Sequence, residues 1–438
     1  MAYKLKMFLI AWIIPFAAFA QTQQYSLQQA LEYGIKNNAQ ILTSELDAQN
    51  AQITVNNRIA AGLPQLDAKL DYQNFFKLPT SLLPAEFFGG EAGDFIPVQF
   101  GTEQNMTASI SASQLLFNGA FIVGVSAAKE YAILVQKQSR LAETEVKKNV
   151  ETAYYSVLIA KEFEILLQKN INNLSAVLFE VSEMQKQGFV EAVDVDRLTM
   201  SKITLNGQLQ NAVRQTALAT NYLKFTMGLD MATAIELTDT IGAITAVNLT
   251  GTNYLTRPEF GILQSTVALN ELNVKLNKAM FLPTLAAYGS YSQNAQRNSF
   301  NFLNSDGQWF ETGLFGLTLA VPIFSGMERK TGVQSAQIAL EKARLTLSNA
   351  TQGILLEVEK AKTDYMNAEN DLNVQQQTIE LAQKIYNTAL IKYREGVGSS
   401  LELNNAESTL YQAQGSYISA MFSLLNAKTA LNKSLGYY

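Results

Sequence analysis

Much of this chain repeats its apolar positions every three and four residues. Val333, Ala336, Leu340, Ala343, Leu347, Ala350 and Ile354 follow that spacing, and after one four-residue step Val358, Ala361, Tyr365, Ala368 and Leu372 continue it. This is a coiled-coil seam with a single stutter. It resumes at Leu403 and runs through Ala406, Leu410, Ala413, Tyr417, Ala420, Leu424 and Ala427 to Leu431. The stretch from Ala132 to Val181 repeats it less regularly. No proline interrupts the chain between Pro97 and Pro258, or after Pro322. Uninterrupted helices are therefore predicted there. One helix over 120–187 would be about 100 Å long at 1.5 Å per residue. Alternating small and large seam residues point to close packing of several helices rather than a two-stranded rope.

Other segments alternate with period two. Met106, Ala108, Ile110 and Ala112 interleave with Thr107, Ser109, Ser111 and Ser113, and Leu66, Ala68, Leu70 and Tyr72 interleave with Asp67, Lys69, Asp71 and Gln73. Phe315, Leu317, Leu319 and Val321 form a third apolar face, while Leu285 to Gln293 alternates weakly because small residues blur it. Strands of about ten residues with one apolar and one polar face fit a membrane barrel, lipid outside and water within. A soluble sandwich has the same alternation. Aromatic residues at both strand ends favour the barrel: Phe75, Phe76, Trp309 and Phe310 at one, Phe117, Phe281 and Phe324 at the other. Four strands cannot close around a water-filled lumen, and lipid does not tolerate an open edge. Several chains must contribute, so an oligomer follows from hydrogen bonding alone.

The chain is one unit written twice. Ile53, Val55, Ala60, Leu63, Pro64, Leu66, Ala68 and Tyr72 recur 219 residues later as Leu272, Val274, Ala279, Leu282, Pro283, Leu285, Ala287 and Tyr291. Phe117-Asn118-Gly119 is echoed by Phe324-Ser325-Gly326, and Gly188 and Gly228 by Gly396 and Gly436 at an offset of 208. The expected organisation is a first repeat over 21–229 and a second over 257–438, joined by a linker, 230–256, that forms a small belt. The first repeat holds a helix, strands near 65–75 and 105–117, a long helix over 120–187 and a returning helix over 190–228. The second holds a helix, strands near 284–293 and 312–323, a long helix over 327–395 and a returning helix over 399–435. Residues 75–104, with three prolines and four glycines, read as a mobile external loop.

Composition removes most enzymatic readings. Histidine and cysteine are both absent from the 438 residues. That excludes Cys/His zinc sites, thiol nucleophiles, disulfides and histidine acid–base chemistry. A carboxylate hydrolase survives the count, but no acid pair clusters in a loop. Asp194 and Asp196 lie two apart on a helix and point to different sides, so no metal site and no cofactor is expected. Lys4 and Lys6, the apolar run Met7 to Phe19, and Ala18-Phe19-Ala20 form a signal peptide over 1–20. Removing it leaves 31 basic against 38 acidic residues, a net charge of −7. With no basic run, nucleic-acid binding is not expected.

Together these features resemble the TolC family of outer membrane efflux proteins, from about Ser26 to Gly436. The resemblance is carried by the duplicated Leu-Pro before a strand and by Leu-Phe-Asn-Gly and Ile-Phe-Ser-Gly before long helices. Two glycine tips complete it: Gln-Gly-Phe-Val-Glu-Ala-Val-Asp-Val at 187–195 and Glu-Gly-Val-Gly-Ser-Ser-Leu-Glu-Leu at 395–403. It implies an α+β membrane protein with internal duplication. A homotrimer would build a 12-stranded β-barrel, four strands per chain, continued by a long α-helical coiled-coil barrel across the periplasm. It further implies the exit duct of a tripartite efflux or type I secretion system, with outer membrane lipid around the barrel. An inner-membrane transporter would supply energy, and a periplasmic adaptor (membrane fusion protein) would open the passive channel.

Carried over by position, Gly188, Phe189, Gly396 and Val397 are the adaptor-docking tips, and each glycine also suits a helix end in the left-handed conformation. Asp194, Tyr393 and Glu402 fall at the periplasmic constriction, where a tyrosine–carboxylate hydrogen bond between hairpins and a ring of carboxylates are implied. A solvated helix face accounts for the same three residues. Gly398 and Asn405 depart from the family pattern, which has charges there. The rival from another class is an exported coiled-coil scaffold of the cell envelope with no pore.

Overall fold

The computed structural model describes residues 23–241, 254–304 and 307–438. The leader at 1–20 and the middle of the linker, 242–253, lie outside them. Contacts divide the chain into two compact units, and neither is one repeat. One comprises 1–45, 139–258 and 351–438; the other comprises 46–138 and 259–350. Sequence duplication and compactness cut the chain along different lines, because each repeat contributes strands to one unit and helix pairs to the other.

The second unit is organised by a four-stranded antiparallel sheet of order β2-β5-β7-β8. Its strands are β2 (Gln65–Asn74), β5 (Gln104–Asn118), β7 (Thr284–Arg297) and β8 (Phe310–Ala320). Register sorts the alternation onto two faces. Leu66 lies opposite Ala112, Ala68 opposite Ile110, and Leu70 opposite Ala108. Ile110 also lies opposite Tyr291, and beyond it Ala287 pairs with Leu317 and Leu285 with Leu319. On the other face Asp67 meets Ser111 and Lys69 meets Ser109, and on the same side Ser109 meets Ser292. The apolar face is bare: Leu66, Leu70, Ile110, Phe315, Leu317 and Leu319 are all exposed. The outer edges of β2 and β8 have no partner strand among the described residues.

The structure explains why β7 alternates weakly in sequence. It is an inner strand whose tyrosines lie over glycines: Tyr288 faces Gly316, and Tyr291 faces Gly313. A Cβ at Gly316 would sit 2.6 Å from the Tyr288 hydroxyl. Small residues in one strand make room for rings in the next, so the apolar character is shared across the pair. At one end of the sheet Tyr72 packs edge-on against Phe300 and Phe302, with centroids 5.5 and 6.0 Å away.

The duplicated motifs are helix starters. In Leu-Phe-Asn-Gly the Asn118 side chain accepts from the Phe121 amide at 2.9 Å, capping α3 (Gly119–Lys186). A Cβ on Gly119 would come within 2.6 Å of Leu282. In Ile-Phe-Ser-Gly the chain turns through left-handed Gly326 and Met327 into α6 (Glu328–Arg394). Residues 75–104 are not a plain loop: β3 (Thr80–Pro84) and β4 (Phe95–Gln99) form a two-stranded antiparallel ribbon. Pro84 and Pro97 are tolerated because both edges of the ribbon are free.

The first unit is helical. α3 and α6 each end in a tip and return as α4 (Ala192–Met227) and α7 (Ser400–Leu435). Within it α6 buries Ile354, Val358, Ala361, Tyr365 and Ala368, the seam residues the spacing singles out, and α7 buries Leu403, Ala406, Leu410, Ala413 and Leu431. Towards the tips the core joins Leu174 and Val181 of α3, Leu198 and Leu205 of α4, Tyr386 and Ala389 of α6, and Leu403 and Leu410 of α7. Farther from the tips, α1 (Leu27–Asn37) packs against α4. There β1 (Gln23–Tyr25) pairs in parallel with β6 (Ile235–Leu237). Tyr154 ties these pieces to α3: its hydroxyl lies 3.0 Å from both the Tyr25 carbonyl and the Asp239 carboxylate. Asp239 also accepts the Leu27 amide at 2.8 Å, placing negative charge at the start of α1.

Candidate functional site at the hairpin tips

Each tip is a helix ended by a left-handed glycine. Gly188 has φ 78° and Gly396 φ 72°. The Phe189 amide donates to the Met184 carbonyl at 3.0 Å, and the Val397 amide to the Lys392 carbonyl at 3.0 Å, satisfying carbonyls the helix leaves open. A Cβ at either glycine would meet nothing within 4 Å, so the dihedral angle, not crowding, selects glycine. The next residues, Phe189 and Val397, project into solvent with 73% and 78% of their surface exposed. They are equivalent in the two repeats, so each hairpin ends in one apolar prong.

Gly398 is glycine for a steric reason. A Cβ there would lie 2.9 Å from the Lys392 Cβ and 3.1 Å from the Tyr393 amide nitrogen. The second tip folds back on the last turn of α6 and leaves no room for a charged side chain. Its amide also donates to Lys392, at 3.0 Å, and Ser399 caps α7 by accepting from the Glu402 amide at 3.1 Å.

Of the three residues expected at a constriction, two share a neighbourhood. Tyr393, in the last turn of α6, is buried, and its hydroxyl has no hydrogen-bond partner among the described residues. Burial raises its pKa above the ordinary tyrosine value, and the negative charge of Asp194 raises it further. Asp194 itself lies 3.8 Å from Arg197, which donates to Ser400 of α7 at 3.0 Å. Glu402 is placed apart, in a half-exposed ion pair with Lys392 at 3.2 Å. It lines a groove of about 740 Å³ with Leu381, Ile385, Leu401 and Asn405.

The hairpins are also held by contacts that no motif announces. Arg394 grips Glu180 with two 2.9 Å hydrogen bonds, from α6 to α3. Glu407 is 1% exposed; one carboxylate oxygen accepts from Tyr411 at 2.8 Å and the other has no partner among the described residues. Burial drives its pKa up, opposed by the hydrogen bond from Tyr411. Burial and the Glu407 charge together push Tyr386 up to about 12. The sequence holds one clue: Glu407 is the only charged residue between Glu402 and Lys428.

A carboxyl whose pKa is higher folded than unfolded binds its proton more tightly in the native state. Stability therefore falls as pH rises from the unfolded value towards the folded one. Glu407→Gln keeps the shape and removes the titration. The variant is expected to melt higher than the parent at pH 8, with the gap closing at pH 4. Parallel melting curves at both pH values would refute a strained carboxylate here.

The profile of the outer membrane efflux protein family matches residues 257–437. The pyoverdine export outer membrane protein OpmQ of Pseudomonas putida is 23% identical over 431 residues, covering 96% of this chain and 87% of that one. The alkaline protease secretion protein AprF of Pseudomonas aeruginosa is 28% identical over 172 residues, 39% of this chain and 34% of AprF. Among solved structures, the outer membrane protein VceC of Vibrio cholerae superposes with a TM-score of 0.73 at 15% identity, covering 94% of this chain and 96% of VceC. The profile match covers the second repeat, and the likeness over nearly the whole of both chains gives the first repeat the same fold: this is an outer membrane protein with the fold of outer membrane efflux channels.

Proposed function

We infer that this protein is the outer membrane exit duct of a tripartite efflux or type I secretion system. It acts as a passive channel, opened by a periplasmic adaptor and energised by an inner-membrane transporter. One observation carries this reading: a sheet with a bare apolar face, a hydroxyl-rich opposite face and two unpaired outer edges. Such a sheet is unstable alone in water or in lipid. It becomes stable when three copies close twelve strands into a barrel, apolar face outward. The scaffold alternative gives that apolar face no purpose.

The two prongs Phe189 and Val397, beside Gly188 and Gly396, are the adaptor's docking points. Asp194, Tyr393 and Glu402 form the constriction. The buried Tyr393 hydroxyl supplies a free donor for a carboxylate of an adjoining hairpin, and docking shifts the population from closed to open. AprF and OpmQ are named for a secreted protease and for pyoverdine, so cargo choice is assigned to the pump rather than the duct.

Native mass spectrometry of the detergent-extracted protein tests this, alone and with a periplasmic adaptor of the same bacterium. Three chain masses are expected, and an adaptor complex that weakens at least tenfold in the Phe189→Ser/Val397→Ser double variant. A monomer at all concentrations, or adaptor binding unchanged by the double variant, would count against the reading.

A further inference from the structure

The core shared by the four helices at the tips is interrupted by one polar layer. α3 contributes Asn170 to it and α7 contributes Glu407 and Gln414, all three buried beside the leucines and alanines of the seam. Burying such groups costs free energy unless each finds a partner. The Asn170 amide donates to the Gln414 side-chain oxygen at 2.5 Å, so that pair is satisfied. Glu407 is not. Tyr411 donates to one of its oxygens, and the other has no partner among the described residues.

This layer lines a cavity of about 640 Å³ between α3, α4 and α7. Small-molecule sites of roughly 300–1,000 Å³ combine apolar walls with a few placed polar groups. Here Phe163, Leu166 and Met200 are apolar walls, and Ser201 of α4 donates to Asn404 of α7 at 3.4 Å on the polar side. Glu407 is the only charged residue lining the cavity. An unpaired carboxylate with no basic group beside it selects a cation, and the apolar walls select one with an apolar body. The free oxygen is itself enclosed. A small ammonium head that donates hydrogen bonds reaches it as the carboxylate turns towards the cavity. A quaternary head is bulkier and donates none.

We propose that this cavity binds a small amphiphilic primary or secondary amine, its ammonium paired with Glu407 and its apolar body against Phe163, Leu166 and Met200. α3 and α4 form one hairpin and α7 belongs to the other, so the ligand fastens the two hairpins of one chain together. None of Asp194, Tyr393 and Glu402 lines the cavity, which makes it a site separate from theirs. It lies within one chain and does not depend on the trimer inferred above.

Saturation-transfer NMR on the detergent-extracted protein tests the site with benzylamine, benzyl alcohol and benzyltrimethylammonium. The Glu407→Gln variant, first matched to the parent in native mass, measures uptake by the micelle. At pH 8 the parent is expected to bind benzylamine at least tenfold more tightly than either other probe, and at least tenfold more tightly than the variant does. An ammonium needs the ionised carboxylate, and burial raises the Glu407 pKa, so benzylamine affinity should rise from pH 5 to pH 8 in the parent and stay flat in the variant. Tyr411 on its own helix and Tyr386 on α6 are both raised by burial and stay neutral over that range, while α3 and α4 line the cavity with uncharged side chains. Should the variant differ from the parent in mass, the three probes on the parent alone decide. Equal binding of all three by the parent, or equal benzylamine binding by parent and variant, overturns the proposal. So does an absence of binding, the result expected if a second copy fills the cavity.

Discussion

Arginine in place of Ile110 is expected to strip most of the assembled protein from the outer membrane, whereas arginine at Ser111 leaves assembly near normal. The two residues are neighbours on β5 and differ only in the face they occupy. Ile110 lies between Ala68 and Tyr291 on the bare apolar face; Ser111 lies between Asp67 and Ser290 on the polar one. If the apolar face meets lipid, an arginine at mid-bilayer costs about 2–4 kcal/mol. That is a factor of roughly 30 to 1,000 in the folding equilibrium of each chain, and a trimer carries it three times. At Ser111 the guanidinium enters water and pays almost nothing. The readout is the fraction of heat-resistant trimer in outer membrane preparations. Equal loss at both positions would mean a face buried by protein on either side. Equal tolerance would remove the barrel and return the scaffold to consideration.

How far the sequence displayed this fold depends on which interaction holds each part. The helical seams were legible because one chain's α6 and α7 bury their own period, from Ile354 to Ala368 and from Leu403 to Leu431. The outer strands were legible for the same reason, each carrying its alternation alone. β7 was obscured because Tyr288 and Tyr291 share volume with Gly316 and Gly313 of the next strand, a two-strand property that one strand's pattern cannot carry. The β3–β4 ribbon was hidden by Pro84 and Pro97, which argue against a strand unless its edges are free.

The tips were half legible. Glycine followed by an apolar residue, twice at the same offset, marks Gly188-Phe189 and Gly396-Val397, and local backbone geometry accounts for both. Gly398 could be seen only as a departure, since its reason is the approach of the chain to Lys392 six residues earlier in a fold-back. Asp194 and Tyr393 come from different repeats, and only the core shared by the four helices at the tips brings them near. Glu180 with Arg394 lies 214 residues apart and has no local signature.

Gly228→Ala is expected to be the most damaging small substitution in the helical unit, and its comparison with Gly188→Ala separates two uses of the same residue. Both glycines end helices at positive φ, 75° and 78°. An alanine at either pays for the left-handed conformation, about 1 kcal/mol. At Gly188 nothing more is lost, because the new methyl points into open space. At Gly228 the methyl would stand 2.5 Å from the Asn37 carbonyl oxygen and 2.9 Å from its carbon, at the junction of α1 and α2 (Ala39–Ala60). That backbone cannot yield cheaply. Asn38 is tied to the Thr226 carbonyl at 2.7 Å and to Gly34 at 2.9 Å, and Leu223 and Met227 on the same turn of α4 are fully buried. Pushing α1 away would open that core, so overpacking adds about 1–3 kcal/mol to the conformational term and the total is roughly 2–4 kcal/mol. The order of apparent heat-dissociation midpoints should be parent, then Gly188→Ala slightly lower, then Gly228→Ala far lower. If the two variants dissociate together, Gly228 is only a helix stop, and the packing of α1 on the end of α4 does not constrain it.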